Sequence, residues 1–223
     1  MRKSVIIVGG GIGFRMGTEI PKQFLLLNNV PIIMHSLNQF HEYDKNIQII
    51  LVLPENQIEY WHKLCIDYNF SITYKLVIGG ETRFDSVKNG LKHIKENEIV
   101  AVHDGVRPLV NINIIKNCFA LALEKGNAVP YININESIRK ISNKGNLAVK
   151  RSEYVTIQTP QVFKSDLLLS SYKQDFREEF TDDASVVEYL GEKINLIEGN
   201  SENIKITNPI DLKYAEILLN NVI

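Results

Sequence analysis

Apolar runs alternate along this chain with segments in which apolar residues recur every three or four positions. The runs cover residues 4–8, 47–53, 72–78, 99–103 and 128–132. Continuous apolar runs of this length are typical of strands buried on both faces, and their alternation with helical segments is typical of a parallel sheet. The pattern therefore predicts an α/β fold with a mostly parallel sheet flanked by helices.

The same periodicity predicts three helices in particular. One begins after Pro31, because proline suits a first helical turn. A second begins at Thr82, a typical N-cap for the apolar stripe that Phe84 and Val87 start. The last begins near Pro209 and carries an apolar stripe. This stripe predicts that the last helix packs on the sheet.

Residues 133–155 break the alternation. They are mostly polar, and a turn sequence around Gly145 separates two short strand-like pieces. This composition predicts a β-hairpin arm that leaves the core. An arm without its own core needs a partner surface, most often a second copy of the chain. We therefore expect a homodimer formed through the arm.

Composition narrows the class of protein. The chain has 223 residues, 44% of them hydrophobic and 23% charged, which is enough for one globular domain over residues 1–223. A formal net charge of -1 argues against a general nucleic-acid or membrane-surface role. No apolar run is long enough for a signal peptide or a membrane span. Cys65 and Cys118 form no C-x-x-C pair, so we expect reduced thiols in a cytoplasmic protein.

A glycine-rich loop follows the first apolar run directly. Its residues are Gly9, Gly10, Gly11, Ile12, Gly13, Phe14 and Arg15. Glycines let backbone N–H groups approach an anion, while Arg15 and the later Lys22 add positive charge. The dinucleotide fingerprint fails because Phe14 stands where its third glycine belongs, and no Gly-Lys-Ser/Thr tripeptide follows. The segment alone is compatible with a nucleoside triphosphate cradle or with a structural turn.

Polar clusters follow two further strands. One cluster consists of Gly79, Gly80 and Glu81, just before the helix capped by Thr82. This segment is either a nucleoside-contacting loop, with Arg83 and Ser86 facing the ligand, or a simple cap with surface charge. Asp104 ends the strand of residues 99–103, at the edge where open α/β sheets bind ligands. There it is expected to accept a hydroxyl or hold Mg²⁺, or to pair with Arg107. The neighbouring His103 is interpreted as structural rather than as a general base.

Taken in order, these motifs resemble the 2-C-methyl-D-erythritol 4-phosphate cytidylyltransferases over nearly the whole chain. The motifs that carry the resemblance are the glycine loop, Pro21-Lys22-Gln23-Phe24, Ser86-Val87-Lys88-Asn89-Gly90, His103-Asp104-Gly105-Val106-Arg107-Pro108, Arg151, Gln158-Thr159-Pro160-Gln161, Thr181-Asp182-Asp183-Ala184-Ser185 and Asn203-Ile204-Lys205-Ile206-Thr207. The resemblance implies a Rossmann-like core, a homodimer joined by its arms and a requirement for Mg²⁺. It also implies transfer of CMP from CTP to methylerythritol phosphate, in isoprenoid precursor synthesis, with release of pyrophosphate.

The resemblance further implies a role for individual residues. The expected catalytic residues are Arg15, Lys22 and Lys205. The expected nucleotide-binding residues are Gly9, Gly10, Gly11, Gly13, Gly80, Glu81, Ser86 and Gly105. The expected acceptor-binding residues are Asp104, Arg107, Ser137, Arg151, Thr159 and Lys205, with Arg151 supplied by the partner's arm. Asp104 is the candidate for a metal ligand.

The chain departs from the family pattern at two points. Gly9 and Gly10 stand where the family usually carries two alanines, a feature shared with some related polyol-phosphate cytidylyltransferases. In the arm, Ser137 stands near the position of a substrate-contacting threonine. The nearest alternative is therefore a ribitol 5-phosphate cytidylyltransferase. The alternative of a different class is a non-catalytic nucleotide-binding protein.

Overall fold

The protein is described from a computed structural model that covers residues 1–10 and 20–221. Its strands are β1 Arg2–Val8, β2 Leu26–Leu27, β3 Val30–Pro31, β4 Gln48–Leu53, β5 Lys75–Ile78, β6 Glu98–Asp104, β7 Asn127–Asn133, β8 Arg139–Ser142, β9 Gly145–Ala148, β10 Val155–Ile157, β11 Gln161–Lys164 and β12 Leu196–Glu198. Its helices are α1 Ile32–Tyr43, α2 Ile58–Asp67, α3 Arg83–Leu91, α4 Ile112–Lys125, α5 Ser165–Ser171, α6 Asp183–Glu188 and α7 Pro209–Asn221.

The main sheet has the strand order β10-β7-β11-β6-β1-β4-β5, and β12 pairs with β7. Strands β6, β1, β4 and β5 are parallel to one another. Strand β11 enters between β6 and β7 and runs antiparallel to both. The predicted α/β class with a Rossmann-like, mostly parallel sheet is confirmed, and all five predicted strands are present. The sequence pattern missed β11 because a four-residue strand beside a proline carries too little periodicity to be recognised.

Strand register brings the ends of the parallel strands to one level. Val8 lies opposite both Val52 and Asp104. A glycine follows each of β1, β5 and β6, and each donates its backbone N–H to the strand beside it: Gly9 to Val52, Gly79 to Leu53 and Gly105 to Val8. Three of these strand ends are thus followed by a residue without a side chain, at the carboxyl edge where open α/β sheets bind ligands.

Apolar side chains cover both faces of the sheet. Helices α1, α2 and α4 pack on one face and α3, α5 and α6 on the other. A third cluster contains Leu27, Ile32, Val106, Ile206 and Ala215. Helix α7 begins at the predicted Pro209, but its Ala215 packs in this third cluster instead of on the main sheet as predicted. The helix thereby holds the segment around residue 205 against the end of β6.

Strands β8 and β9 form a hairpin within the predicted range of residues 133–155. Gly145 has a φ of +112°, a conformation that favours glycine in the tight turn. Every residue of both strands is exposed, and Ile141 is 83% exposed.

The helices of residues 1–10 and 20–221 include none that combines the length and the apolar composition needed to cross a bilayer.

Candidate functional site

Two adjoining cavities lie at the carboxyl edge of the parallel strands. The first, of about 230 Å³, is lined by Gly9, Gly10, Lys22, Gly79, Gly80, Glu81, Thr82 and Ser86 among others, and we call it the glycine cavity. The second, of about 220 Å³, is lined by Arg107, Gln158, Thr159, Gln161, Thr181 and Asp182 among others, and we call it the Thr159 cavity. Arg83, Asp104 and Lys205 line both and form the shared wall.

Asp104 is the electrostatic centre of the shared wall. Its carboxylate lies 2.9 Å from Lys205 Nζ, 3.5 Å from Arg83 Nε and 3.6 Å from Arg107 Nε. Burial alone raises the pKa of this carboxyl, but the three cations outweigh burial and hold its pKa well below the usual range. Asp104 is therefore ionised throughout the neutral range, as an acceptor of hydrogen bonds and not as a proton donor.

Cations outnumber carboxylates where the two cavities meet. Lys205 and Arg107 both approach Asp104 Oδ2, and the side chain of Lys205 is still 41% exposed. Among the described residues, Arg107 Nε is buried without a hydrogen-bond partner. A chain with a formal net charge of -1 thus concentrates positive charge at one edge of its sheet, which suits an anionic ligand.

A hydrogen-bond chain fixes the backbone at the end of β6. His103 is fully buried; its Nε2 lies 3.1 Å from the carbonyl oxygen of Arg107 and its Nδ1 lies 3.1 Å from Thr159 Oγ1. Because a carbonyl only accepts, we assign the ring proton to Nε2, so that the Thr159 hydroxyl donates to Nδ1. Thr159 Oγ1 in turn accepts the backbone N–H of Asp104 at 3.1 Å. The Thr159 proton is already engaged, so this hydroxyl offers a ligand only a lone pair.

Burial lowers the pKa of His103 to about 4, from an ordinary value of 6.5. The imidazole is therefore neutral at pH 7, in agreement with its interpretation as a structural residue. Because its folded pKa lies below the unfolded value, the unfolded chain binds the proton first. The stability that depends on neutral His103 is thus fully present above pH 6.5 and is lost as the pH falls towards 4.

We expect acid to affect the wild-type protein and His103→Gln differently. Between pH 7 and pH 4.5, the free energy of unfolding of the wild type should fall by roughly 2–3 kcal/mol more than that of the variant, which has no imidazole to protonate. Urea unfolding at both pH values measures the difference. If the difference in the free energy of unfolding between the two proteins is the same at both pH values, His103 takes up no proton in this range.

The loop before α3 is shaped by its own side chains. Thr82 and Asp85 form a reciprocal capping box, in agreement with the predicted cap. Ser86 Oγ accepts the backbone N–H of Gly80 at 3.1 Å. A Cβ added at Gly80 would lie 2.3 Å from Asp85 Cβ, so the first turn of the helix leaves no room for a side chain there. Ser86 and Gly80 thus set the shape of the glycine cavity.

The structure places the other predicted residues in three groups. Gly9, Gly10, Lys22 and Glu81 line the glycine cavity. Gly105 is buried and lines neither cavity, and an added Cβ there would approach the Val8 carbonyl oxygen to 3.2 Å. Gly11, Gly13 and Arg15 lie outside the described residues.

Ser137 and Arg151 lie on the exposed arm, and neither lines one of the two cavities as the described residues form them. Arg151 Nη1 donates to the backbone carbonyl of Asn135, at the base of the arm. Within the described chain, these two predicted acceptor-binding residues are therefore not brought to the site.

Sequence reasoning gave no individual role to two buried residues that organise the Thr159 cavity. Asn203 Nδ2 donates to the Thr159 carbonyl at 2.8 Å, and the Asn203 carbonyl accepts from Arg107 Nη1 at 2.8 Å. Gln161 donates to Asp182 and accepts the backbone N–H of Ala184. Both residues stand in the motifs quoted above, but their partners are 21 to 96 positions away in sequence, and only the fold shows the pairing.

Comparison with known proteins gives one consistent result. The profile of the family described as IspD, 2-C-methyl-D-erythritol 4-phosphate cytidylyltransferase, matches residues 4–221. The protein of that name from Bacteroides thetaiotaomicron is 49% identical over 219 residues, which are 98% of this chain and 100% of the relative. Its namesake from Azobacteroides pseudotrichonymphae genomovar. CFP2 is 52% identical over 221 residues, 98% of this chain and 99% of the relative. The crystal structure of the Francisella tularensis protein of the same name aligns with a TM-score of 0.80 at 28% identity, covering 97% of this chain and 99% of that one.

Proposed function

Because the chain belongs to the 2-C-methyl-D-erythritol 4-phosphate cytidylyltransferase family, we propose that it transfers CMP from CTP to 2-C-methyl-D-erythritol 4-phosphate. The products are 4-diphosphocytidyl-2-C-methyl-D-erythritol and pyrophosphate. The observation that carries this proposal is the pair of adjoining cavities that share Asp104 and Lys205. A transfer between two substrates requires two binding sites whose reactive ends meet, and the shared wall supplies that meeting point.

CTP occupies the glycine cavity in this proposal. Gly9, Gly10 and Gly80 line this space without side chains, so the phosphates and ribose can lie close to the backbone, and Lys22 supplies a cation to the same space. The acceptor occupies the Thr159 cavity. There the Asp104 carboxylate accepts a hydrogen bond from a hydroxyl of the polyol, and the guanidinium of Arg107, which lines this cavity, adds positive charge for the acceptor phosphate.

The transfer needs little proton chemistry. A phosphate oxygen of the acceptor, largely ionised at neutral pH, forms a bond to the α-phosphorus of CTP. The bond from that phosphorus to the bridging oxygen of pyrophosphate breaks, and pyrophosphate leaves with the electron pair. Lys22 and Lys205 then act by neutralising the charge that grows on the α-phosphate, and by holding both phosphates in line. Arg15, which the resemblance assigns to the same task, lies outside the described residues.

Magnesium fits this site only as a companion of the triphosphate. Within residues 1–10 and 20–221, no group of three or more His, Cys, Asp and Glu side chains is placed to hold a metal ion. The shared wall offers one carboxylate, Asp104, which already contacts three cations. Magnesium commonly takes one or two carboxylates beside substrate phosphates and water, so Asp104 would be at most its single protein ligand. When bound, the ion neutralises phosphate charge.

Pyrophosphate release with CTP and different acceptors tests the function directly. We expect 2-C-methyl-D-erythritol 4-phosphate to give a kcat/KM at least about a hundredfold above that of ribitol 5-phosphate, a preference within the range that built hydrogen-bond sites achieve. The reverse preference would assign the chain to the ribitol enzymes. Binding of CTP without release from any acceptor would favour the non-catalytic alternative.

The glycine loop before α3 offers a paired test of the nucleotide site. In Gly80→Ala, the new Cβ must displace the first turn of α3, so we expect the KM for CTP to rise about tenfold, equivalent to about 1.4 kcal/mol of lost binding. Lys92→Ala is the control, because Lys92 lies exposed at the opposite end of α3 and lines neither cavity. Its kinetics should match the wild type. If the KM for CTP is equal in all three proteins, Gly80 does not belong to the nucleotide site.

The proposed homodimer completes the acceptor site with the partner's arm. Ser137 and Arg151 lie on that arm, away from the cavities of their own chain. The cytoplasm is the proposed compartment, because Cys65 and Cys118 are both free thiols.

Co-expression of two inactive variants tests the arm. In a mixed dimer, one chain carries Lys22→Ala and the other carries Arg151→Ala. If each arm serves the partner's site, both substitutions fall in the site of the Lys22→Ala chain, and the site of the other chain is intact. We expect the mixture to recover roughly a quarter of wild-type activity, because random pairing makes half of the dimers mixed. Absence of recovery in dimers shown to be mixed would place Arg151 in its own chain's site.

A further inference from the structure

A buried ion-pair network runs behind the shared wall of the two cavities. Arg83 Nη2 donates to Asp183 Oδ2 at 2.7 Å, while Arg83 Nε lies 3.5 Å from Asp104 Oδ1. The other oxygen of Asp183 accepts the Tyr172 hydroxyl at 2.6 Å. Asp183 is fully buried and Tyr172 is nearly so. One guanidinium therefore connects a carboxylate of the site to a carboxylate of the interior.

Both oxygens of Asp183 are committed within the protein. The hydroxyl of Tyr172 keeps its proton, since burial and the neighbouring carboxylate raise its pKa well above the usual value. It therefore remains a donor to Asp183. With Tyr172 on one oxygen and Arg83 on the other, Asp183 has a fixed orientation and in turn fixes the guanidinium. Arg83, which lines both cavities, is thus anchored from the interior side.

The two oxygens of Asp104 have different partners. Lys205 and Arg107 both approach Oδ2, whereas Arg83 approaches Oδ1. Without Arg83, the two cations on Oδ2 attract the carboxylate to one side of the wall. Arg83 is also the first residue of α3, directly after the loop of the glycine cavity. Its position thus ties Asp104 to the nucleotide loop as well as to the interior.

We propose that Arg83 is a positioning residue for the transfer: anchored by Asp183, it holds Asp104 Oδ1 in place at the wall between the two cavities, so that an acceptor hydroxyl meets a carboxylate of fixed orientation. This inference rests on the proposed function, because it assigns Asp104 to the acceptor. A guanidinium suits the task because its rigid planar fork directs N–H groups towards two carboxylates in fixed directions, whereas an ammonium group is a compact charge on a flexible stem.

The test is a double-mutant cycle on initial rates of pyrophosphate release. Arg83→Lys keeps the charge but loses one of the two contacts, so we expect kcat/KM for the acceptor to fall about thirtyfold, with the KM for CTP changed less than about twofold. In an Asp104→Asn background, the same change should cost less than about threefold, because residues that act through one another are not additive. If Arg83 has a merely structural role, Arg83→Lys lowers kcat/KM by the same factor in the wild-type and Asp104→Asn backgrounds.

Asp183→Asn provides a second cycle that leaves Asp104 intact. It preserves the side-chain shape and removes the charge that anchors Arg83, so we expect the same acceptor-specific loss. The double variant Arg83→Lys with Asp183→Asn should be no worse than about twofold below either single variant. Arg2→Lys is the matched control, since Arg2 pairs with the buried Glu98 at the opposite end of β6. Its kinetics should equal those of the wild type.

Two results would overturn the proposal. The first is a full thirtyfold loss of kcat/KM from Arg83→Lys in the Asp104→Asn background. The second is a rise in the KM for CTP, in Arg83→Lys alone, as large as the fall in kcat/KM for the acceptor. The wild-type rate with 2-C-methyl-D-erythritol 4-phosphate tests the function separately. If another polyol phosphate is the acceptor, the same ratios between variants are measured with that compound.

Discussion

Changing Lys205 to Met is expected to lower kcat by about 10²–10³-fold, the range seen when one preorganised charge donor is removed from a transition state. Lys205 Nζ contacts Asp104 at 2.9 Å, and its side chain lines both cavities. Arg83 lines both cavities too, but Lys205 is the more exposed of the two side chains and is therefore better placed to contact both reacting phosphates. Methionine keeps much of the length of the side chain and removes its charge.

The fold should tolerate this change. Lys205 is 41% exposed, so the ion pair with Asp104 contributes on the order of 1 kcal/mol or less to stability. Loss of the ammonium group raises the pKa of Asp104 towards its ordinary value, but Arg83 and Arg107 still keep it ionised at pH 7. Thermal unfolding should thus match the wild type while the rate falls. A kcat within threefold of wild type in a folded Lys205→Met protein would remove Lys205 from the chemistry.

Changing Lys22 to Ala is expected to lower kcat by about 10²–10³-fold as well, with a different signature. Lys22 lines the glycine cavity and not the Thr159 cavity, so its charge serves CTP and the leaving pyrophosphate. The KM for the acceptor should stay within about twofold of wild type, since an interaction made mainly in the transition state affects kcat. For Lys205→Met we expect the acceptor KM to rise together with the fall in kcat.

Single-turnover and steady-state rates of pyrophosphate release separate these outcomes. Lys3→Ala is a suitable control for both variants, because Lys3 pairs with Asp44 near the opposite end of β1. It removes a partly buried lysine without touching either cavity. If Lys22→Ala changed only the KM for CTP, Lys22 would be a binding residue for the ground state and not a residue of the transition state.

Local sequence signals were sufficient to predict which residues the ends of the parallel strands bring to the site. The apolar runs ending at Gly9 and before Asp104 predicted strands, and the rule that parallel strands bind ligands at their carboxyl ends placed both residues at one edge. The structure shows this edge, with Val8 opposite Asp104. The Thr82 cap was equally local, because a capping box spans three positions.

Residues whose role depends on distant partners could not be assigned in this way. Arg83 was interpreted either as a ligand-facing residue or as surface charge; it lines both cavities, and its partner Asp183 stands 100 positions later in the chain. Thr159 lines the proposed acceptor cavity, but the sequence did not indicate that its proton is engaged by His103, 56 positions earlier. Sequence spacing contains no information about either pairing, since both depend on β11 and α6 returning to the end of β6.

The sequence by itself determined the fold class, the family and the kinds of residues that the chemistry needs. Periodicity is set by the geometry of single strands and helices, and motifs are recognised residue by residue. The tertiary structure alone decided which of these residues share a wall, which hydrogen bonds are already taken and which carboxylate is surrounded by three cations. Electrostatic and hydrogen-bond energies depend on distances in space and on burial, and the chain acquires both only when its distant segments pack together.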